Sequence, residues 1–143
     1  MSETRLPEGN EMVVEAVLKN LPLVVEFVEK HLKRTGISLK EKLQICVAVE
    51  EIFVNIANYA YAPDRGNATV RVEFSGAPVT VSITFMDNGI PFDPLKRRDP
   101  DITLSAEERR IGGLGIFMTK KTMDSVKYEY KDGQNILTLK KSI

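Results

Sequence analysis

An α+β protein is the fold class this sequence predicts: a two-layer α/β sandwich with helices on one face of a mixed, mainly antiparallel sheet. Three observations carry that expectation. Val70, Val72 and Phe74 alternate with Arg71 and Glu73, and Val79, Val81, Ile83 and Phe85 alternate with Thr80, Ser82 and Thr84. Period-two alternation marks a sheet with one covered and one wet face. Two helical stretches precede these strands, and the second is apolar around most of its circumference, as a central helix is. A short helix and a hairpin follow, so the order is two helices, two strands, one helix, two strands.

Each element has its own signal. The first ten residues are polar, with Pro7 and Gly9, and a loose start is expected over 1–10. Met12-Val13-Val14 reads as a short strand. Asn20-Leu21-Pro22 reads as a helix start, with Asn20 as cap and Pro22 in the first turn. Leu23, Phe27, Val28 and Leu32 continue it at helical spacing, and Gly36 ends it. Ser38-Leu39-Lys40-Glu41 has the form of a capping box, opening a helix expected to run to about Tyr61. Its apolar residues are Leu43, Ile45, Val47, Val49, Ile52, Phe53, Val54 and Ile56. Gly76-Ala77-Pro78 turns the first strand pair. The segment from Pro91 to Gly113 lacks a sustained apolar period and reads as a functional loop. A helix is expected from Ile116 to Met123, then a hairpin of Val126, Tyr128 and Tyr130 with Ile136, Leu137 and Leu139, turned by Asp132-Gly133.

The 143 residues are expected to form one domain, 1–143, with a real hydrophobic core. Hydrophobic residues make up 43% and charged residues 28%, and 20 basic residues balance 20 acidic ones. A neutral chain gives no electrostatic reason to expect nucleic acid or an anionic membrane as partner. Lys96-Arg97-Arg98 and Lys120-Lys121 read as solvated faces. Cys46 is the only cysteine, so no intramolecular disulfide forms, and it reads as a small core residue. His31 is the only histidine; its charged neighbours make it an expected surface residue, which disfavours a Cys/His enzyme or a zinc site. No apolar run of membrane-spanning length and no signal-peptide apolar region is expected, so the protein is expected to be cytoplasmic.

One stripe breaks the apolar second helix. Gln44, Ala48, Glu51, Asn55 and Asn58 step by four, three, four and three. Small and polar residues on one line of a buried helix form the wall of a site, because buried polar groups need partners. Asn55 offers a carbonyl oxygen suited to Mg²⁺, and Glu51, one turn earlier, can take a proton from an attacking hydroxyl or water. Asp87 follows a strand and accepts hydrogen bonds only, so it can read an exocyclic amino group; Gly89 lets the backbone approach a flat ligand. Gly112-Gly113-Leu114-Gly115 precedes a helix, where free N–H groups and the helix dipole favour an anion. It is neither a P-loop nor a dinucleotide fingerprint.

The order Glu51-x-x-x-Asn55, Asp87-x-Gly89, Gly113-x-Gly115 resembles the N, G1 and G2 boxes of the GHKL ATP-binding superfamily. The small anti-sigma factor serine/threonine-protein kinases of bacteria are the members it resembles most. Ala48-Val49-Glu50-Glu51 leading to Asn55 and Tyr59-Ala60-Tyr61, Asp87 to Pro94, and Gly112 to Ile116 followed by Met123-Asp124 carry that resemblance. It implies ATP and Mg²⁺ as cofactors, with Asn55 holding the metal. Asn55, Asn58, Asp87, Gly89, Gly113, Leu114 and Gly115 would bind ATP, and Glu51 would be the general base. Residues 93–112 would be the ATP lid. Arg109 or Arg110 would be the phosphate-touching arginine, in a register the motif does not fix. The implied acceptor is a serine or threonine on an anti-anti-sigma partner. A sigma factor is the competing partner, and homodimers are usual. The rival function is a nucleotide-sensing module that sequesters a partner without phosphoryl transfer; a third is a simple ATP hydrolase. Only the kinase needs Glu51 as a base.

Overall fold

A computed structural model describes residues 9–61, 64–96 and 114–143. Strand β1 (Glu11–Glu15) leads to helices α1 (Leu21–Leu32) and α2 (Leu39–Asn55). Strands β2 (Asn67–Ser75) and β3 (Thr80–Asp87) follow, then helix α3 (Leu114–Thr122) and the hairpin β4 (Ser125–Lys131) and β5 (Gln134–Ser142). The sheet order is β1-β2-β3-β5-β4. All four pairings are antiparallel, with no parallel pair among the described residues.

Parity along the strands decides what faces the helices. Ala68, Val70 and Val72 on β2, Val81, Ile83 and Phe85 on β3, and Leu137 and Leu139 on β5 are buried. They meet Val24, Phe27 and Val28 of α1 and Ile45, Val49, Ile52 and Phe53 of α2 in one core. Apolar burial of this kind is worth about 25 cal/mol per Å² and holds the two layers together. Thr69, Arg71, Thr84 and Thr138 fall on the opposite parity, on the open face. The final hairpin turns at Asp132 (φ 54°) and Gly133 (φ 79°), the left-handed pair that matches strand twist in a two-residue turn.

The helix starts differ in one respect from expectation. Ser38 caps α2, accepting from Glu41 N–H at 3.2 Å, while its hydroxyl lies 3.1 Å from Glu41 Oε1. Asn20 does not cap α1. A 3₁₀ turn, Leu18–Asn20, runs into that helix, and Asn20 Nδ2 instead donates to the Glu15 carbonyl at 2.9 Å, tying it to β1.

Three other expectations are corrected. His31 is buried: it lies one turn after Phe27, donates from Nδ1 to the Phe27 carbonyl at 2.9 Å, and meets the Phe27 ring edge-on. Helix α2 is not enclosed all round. Leu39, Leu43 and Val47, at successive i+4 positions, are 68%, 54% and 52% exposed, because sheet, α1 and α3 cover only its other sides. The stretch Leu39–Ala60 is long and apolar enough to cross a membrane by length and composition, contrary to expectation. Here it is a core helix packed on the sheet. Cys46 does take the core position expected of it; burial, and next the charge of Glu29, push its thiol up to about 11, far from a nucleophile's range.

Candidate functional site

The site is built where the C-terminal half of α2, the end of β3, the start of β5 and the start of α3 converge. Helical spacing puts Glu51 and Asn55 on one face of α2. Asn55 is buried, and its Nδ2 donates to Glu51 Oε2 at 3.2 Å. Its Oδ1 has no hydrogen-bond partner among the described residues. An unpaired oxygen in that position is costly to bury and is ready for a ligand. After Asn55 the helix widens into a π-helical turn, Ile56–Ala60, of the kind that often marks functional sites. That turn ends the regular stripe: Ala48 and Asn55 are buried, Gln44 and Glu51 half-buried, and Asn58 is exposed.

Asp87 continues the inward parity of Val81, Ile83 and Phe85, so its carboxylate enters the core side of the sheet and is only 4% exposed. Its Oδ1 accepts from Gly89 N–H and from Asn135 Nδ2, both at 2.9 Å. Burial pushes this carboxyl above its ordinary 3.8, while the Asn135 and Gly89 hydrogen bonds pull it back. Oδ2 has no hydrogen-bond partner among the described residues. Gly89 runs hard against the π-helical turn. A Cβ there would strike the Ala60 carbonyl, and the next N–H, of Ile90, donates to that same carbonyl at 2.9 Å. Tyr61 frames the loop, accepting from Asn88 N–H at 2.8 Å and donating to the Asn67 carbonyl at 2.6 Å.

Asn135 was missed in the sequence. It sits opposite Asp87 in the β3–β5 register. Its Nδ2 also donates to the Ile90 carbonyl at 2.8 Å, and its Oδ1 accepts from Phe92 N–H at 3.0 Å and from the Tyr128 hydroxyl. Parity was the available signal: Asn135, Leu137 and Leu139 share the inward face, so a polar residue there demands partners. Asn55, Asp87, Asn135, Tyr128, Phe92 and Ile52 line one small cavity of about 30 Å³. The Phe92 ring, stacked 5.0 Å from Tyr59, forms part of its wall.

Gly115, in the first turn of α3, brings that helix onto Glu51. A Cβ at Gly115 would fall on Glu51 Oε1, so only glycine admits this approach. The Gly115 carbonyl accepts from Thr119, at 2.8 Å, within the helix. Leu114 begins α3. Gly112, Gly113, Arg109 and Arg110 lie outside the described residues, as does most of the expected lid over 93–112.

The arrangement suits a nucleotide with a hard cation. Two buried side-chain oxygens, Asn55 Oδ1 and Asp87 Oδ2, belong to residues of one cavity, and Glu51 stands where a helix begins. No group of three His, Cys, Asp or Glu side chains converges among the described residues. A cation at Asn55 would therefore complete its shell with phosphate oxygens and water, as Mg²⁺ does.

Residues 14–141 match the model of the histidine kinase-like ATPase domain. The chain is 30% identical over 111 residues to the serine-protein kinase RsbW of Listeria monocytogenes, covering 75% of this chain and 70% of that protein. It is 26% identical over 102 residues to the serine/threonine-protein kinase BtrW of Bordetella bronchiseptica, covering 71% of each. With RsbW of Bacillus cereus the identity is 29% over 111 residues, covering 75% of this chain and 68% of that protein. The match runs from the end of β1 into β5 and includes every described element of the site: the chain belongs to the histidine kinase-like ATPase domain family.

Proposed function

We propose that this protein is an ATP- and Mg²⁺-dependent regulatory kinase of the anti-sigma type, which phosphorylates a serine or threonine of an anti-anti-sigma partner. The observation that carries this reading is the position of Glu51. Its carboxylate is hydrogen-bonded to Asn55 on one side and packed against Gly115 on the other. A base for phosphoryl transfer must lie within hydrogen-bond reach of the hydroxyl that attacks the terminal phosphate. Names of relatives that are serine or serine/threonine kinases support the same class.

In this mechanism Asp87 and Gly89 orient the base. Asn55 Oδ1 would hold Mg²⁺, whose charge would offset that of the ATP phosphates. Gly113, Leu114 and Gly115 would offer backbone N–H groups to the phosphates, and Asn58 would approach them from solvent. Glu51 accepts the proton of the attacking hydroxyl as its oxygen bonds the terminal phosphorus. The bond from that phosphorus to the bridging oxygen breaks, and ADP departs with the electron pair. The reading takes 1–143 as one domain with a lid at 93–112. It places the protein in the cytoplasm as a homodimer, exchanging a sigma factor for the anti-anti-sigma protein in transcription regulation.

Calorimetry with Mg-ATP, followed by labelled ATP and candidate partners, tests it. Asn55→Ala is expected to abolish Mg-ATP binding. Glu51→Gln is expected to bind ATP and transfer phosphate about 10²- to 10⁴-fold more slowly, the usual share of a general base. Transfer by Glu51→Gln at the wild-type rate removes the base role. Binding without any transfer to an authentic partner assigns the protein to nucleotide-gated sequestration instead.

A further inference from the structure

The amide of Asn135 is saturated. It has two N–H donors and two acceptor lone pairs, and all four are used: Asp87 Oδ1 and the Ile90 carbonyl receive, Phe92 N–H and the Tyr128 hydroxyl give. The residue is only 6% exposed, which shields these bonds from bulk solvent. An amide held by four partners cannot rotate without losing them, which fixes the carboxylate it touches. Asp87 Oδ1 is thereby filled by Asn135 and Gly89 N–H, and Oδ2 remains as the acceptor.

We propose that Asn135 is the positioning residue that sets base specificity in this cavity. By occupying Asp87 Oδ1 and pinning Ile90 and Phe92, it leaves Asp87 Oδ2 to select a base with an exocyclic amino group over one with a keto oxygen at the same edge. This rests on the nucleotide-binding reading above and extends it to a residue outside the glycine and asparagine motifs.

The physical reason is that a keto oxygen facing an ionised carboxylate leaves two acceptors unpaired in a buried place. Sites built to hydrogen-bond a polar group reject the analogue lacking it strongly. The selection holds only while Asp87 is ionised, since a protonated carboxyl would donate to the keto oxygen. Burial works against ionisation, and the two donors work for it. Among the described residues, the titratable groups whose charge couples to Asp87 are Tyr61, just after the π-helical turn, and Tyr128 from β4. Neither of them supplies a positive charge. Among the described residues, the Asn135 amide and Gly89 N–H are thus the groups that keep Asp87 an acceptor.

Calorimetric affinities for Mg-ATP and Mg-GTP test this in the wild type, Asn135→Asp, Asn135→Thr and Tyr128→Phe, across about pH 6 to 8.5. Asn135→Asp keeps the shape and an oxygen for Phe92 and Tyr128, but replaces the donor to Asp87 by an acceptor. The wild type is expected to prefer ATP by about 10- to 100-fold, the worth of a hydrogen bond to a charged group. Asn135→Asp is expected to lose about tenfold of that preference, with ATP binding weakening as pH falls. Asn135→Thr retains a hydroxyl donor and the preference. Tyr128→Phe frees one lone pair of Asn135 and moves the ratio the same way by less. Should Asn135→Asp fail to fold on thermal melting, the Tyr128→Phe ratio decides. A wild type without preference, or ratios unchanged in folded Asn135→Asp and Tyr128→Phe, overturns the proposal. A wild type that binds neither nucleotide overturns the nucleotide-binding reading itself.

Discussion

At Asp87 burial and hydrogen bonding act in opposite directions, and burial is the larger effect. The folded state therefore holds the Asp87 proton to higher pH than the unfolded chain does. Native protein binds more protons in the window above 3.8, so stability falls as pH rises through it. Above the folded-state value the full cost of a buried carboxylate is present. Asp87→Asn removes that cost while Asn Oδ1 still accepts from Gly89 and Asn135. The variant is expected to melt higher than the wild type at neutral pH, with the gap closing as pH approaches 3.8. The same change turns Oδ2 into a donor, and ATP affinity is expected to fall about 10- to 100-fold. Paired thermal melts at neutral and acid pH, with calorimetry at neutral pH, check both halves. A variant less stable at neutral pH would show that the ionised carboxylate is held better than its burial implies.

At the scale of elements, the parts readable in the sequence were those whose period matched one physical cause. Inward parity through Val81, Ile83 and Phe85 announces that Asp87 is buried. The capping pattern at Ser38 announces the start of α2, and the hydroxyl does accept from Glu41 N–H. Ser38→Ala is expected to cost about 1 kcal/mol, as lost caps do, measured by urea denaturation. No change would mean that tertiary packing alone holds the first turn. What was not legible depended on neighbours far along the chain. His31 stands among charged residues, yet the turn that places Val24, Phe27 and Val28 inward takes it along. Leu39, Leu43 and Val47 have core-like character, but no described element packs over that side of α2. Asn58 continued the stripe only on an unbroken α-helix, and the π-helical turn at Ile56–Ala60 changes the count per turn. Asn135 gains its meaning from the register opposite Asp87, which a strand's own residues do not state.

At the scale of the molecule, the site gathers residues that only the native fold assembles: Asn55 from α2, Asp87 from β3, Gly115 from α3 and Asn135 from β5. A ligand that needs all four cannot bind the unfolded chain, so its binding free energy adds to folding stability. The cavity also has no separate floor. Ile52, Phe85 and Leu137 line it and belong to the same core that joins sheet to helices. Cavity and core are therefore expected to melt in one transition. Mg-ATP at about 100 times its dissociation constant is expected to add about 2.7 kcal/mol. For a chain of this length that is a rise of roughly 5–10 °C in melting temperature, growing with the logarithm of nucleotide concentration. Asn55→Ala, which removes the proposed metal-binding oxygen, should melt at the same temperature with and without Mg-ATP. Differential scanning calorimetry over a range of nucleotide concentrations checks this. A rise that persists in Asn55→Ala would put the nucleotide away from α2, and a second transition that alone shifts would mean that the pocket folds independently of the core beneath it.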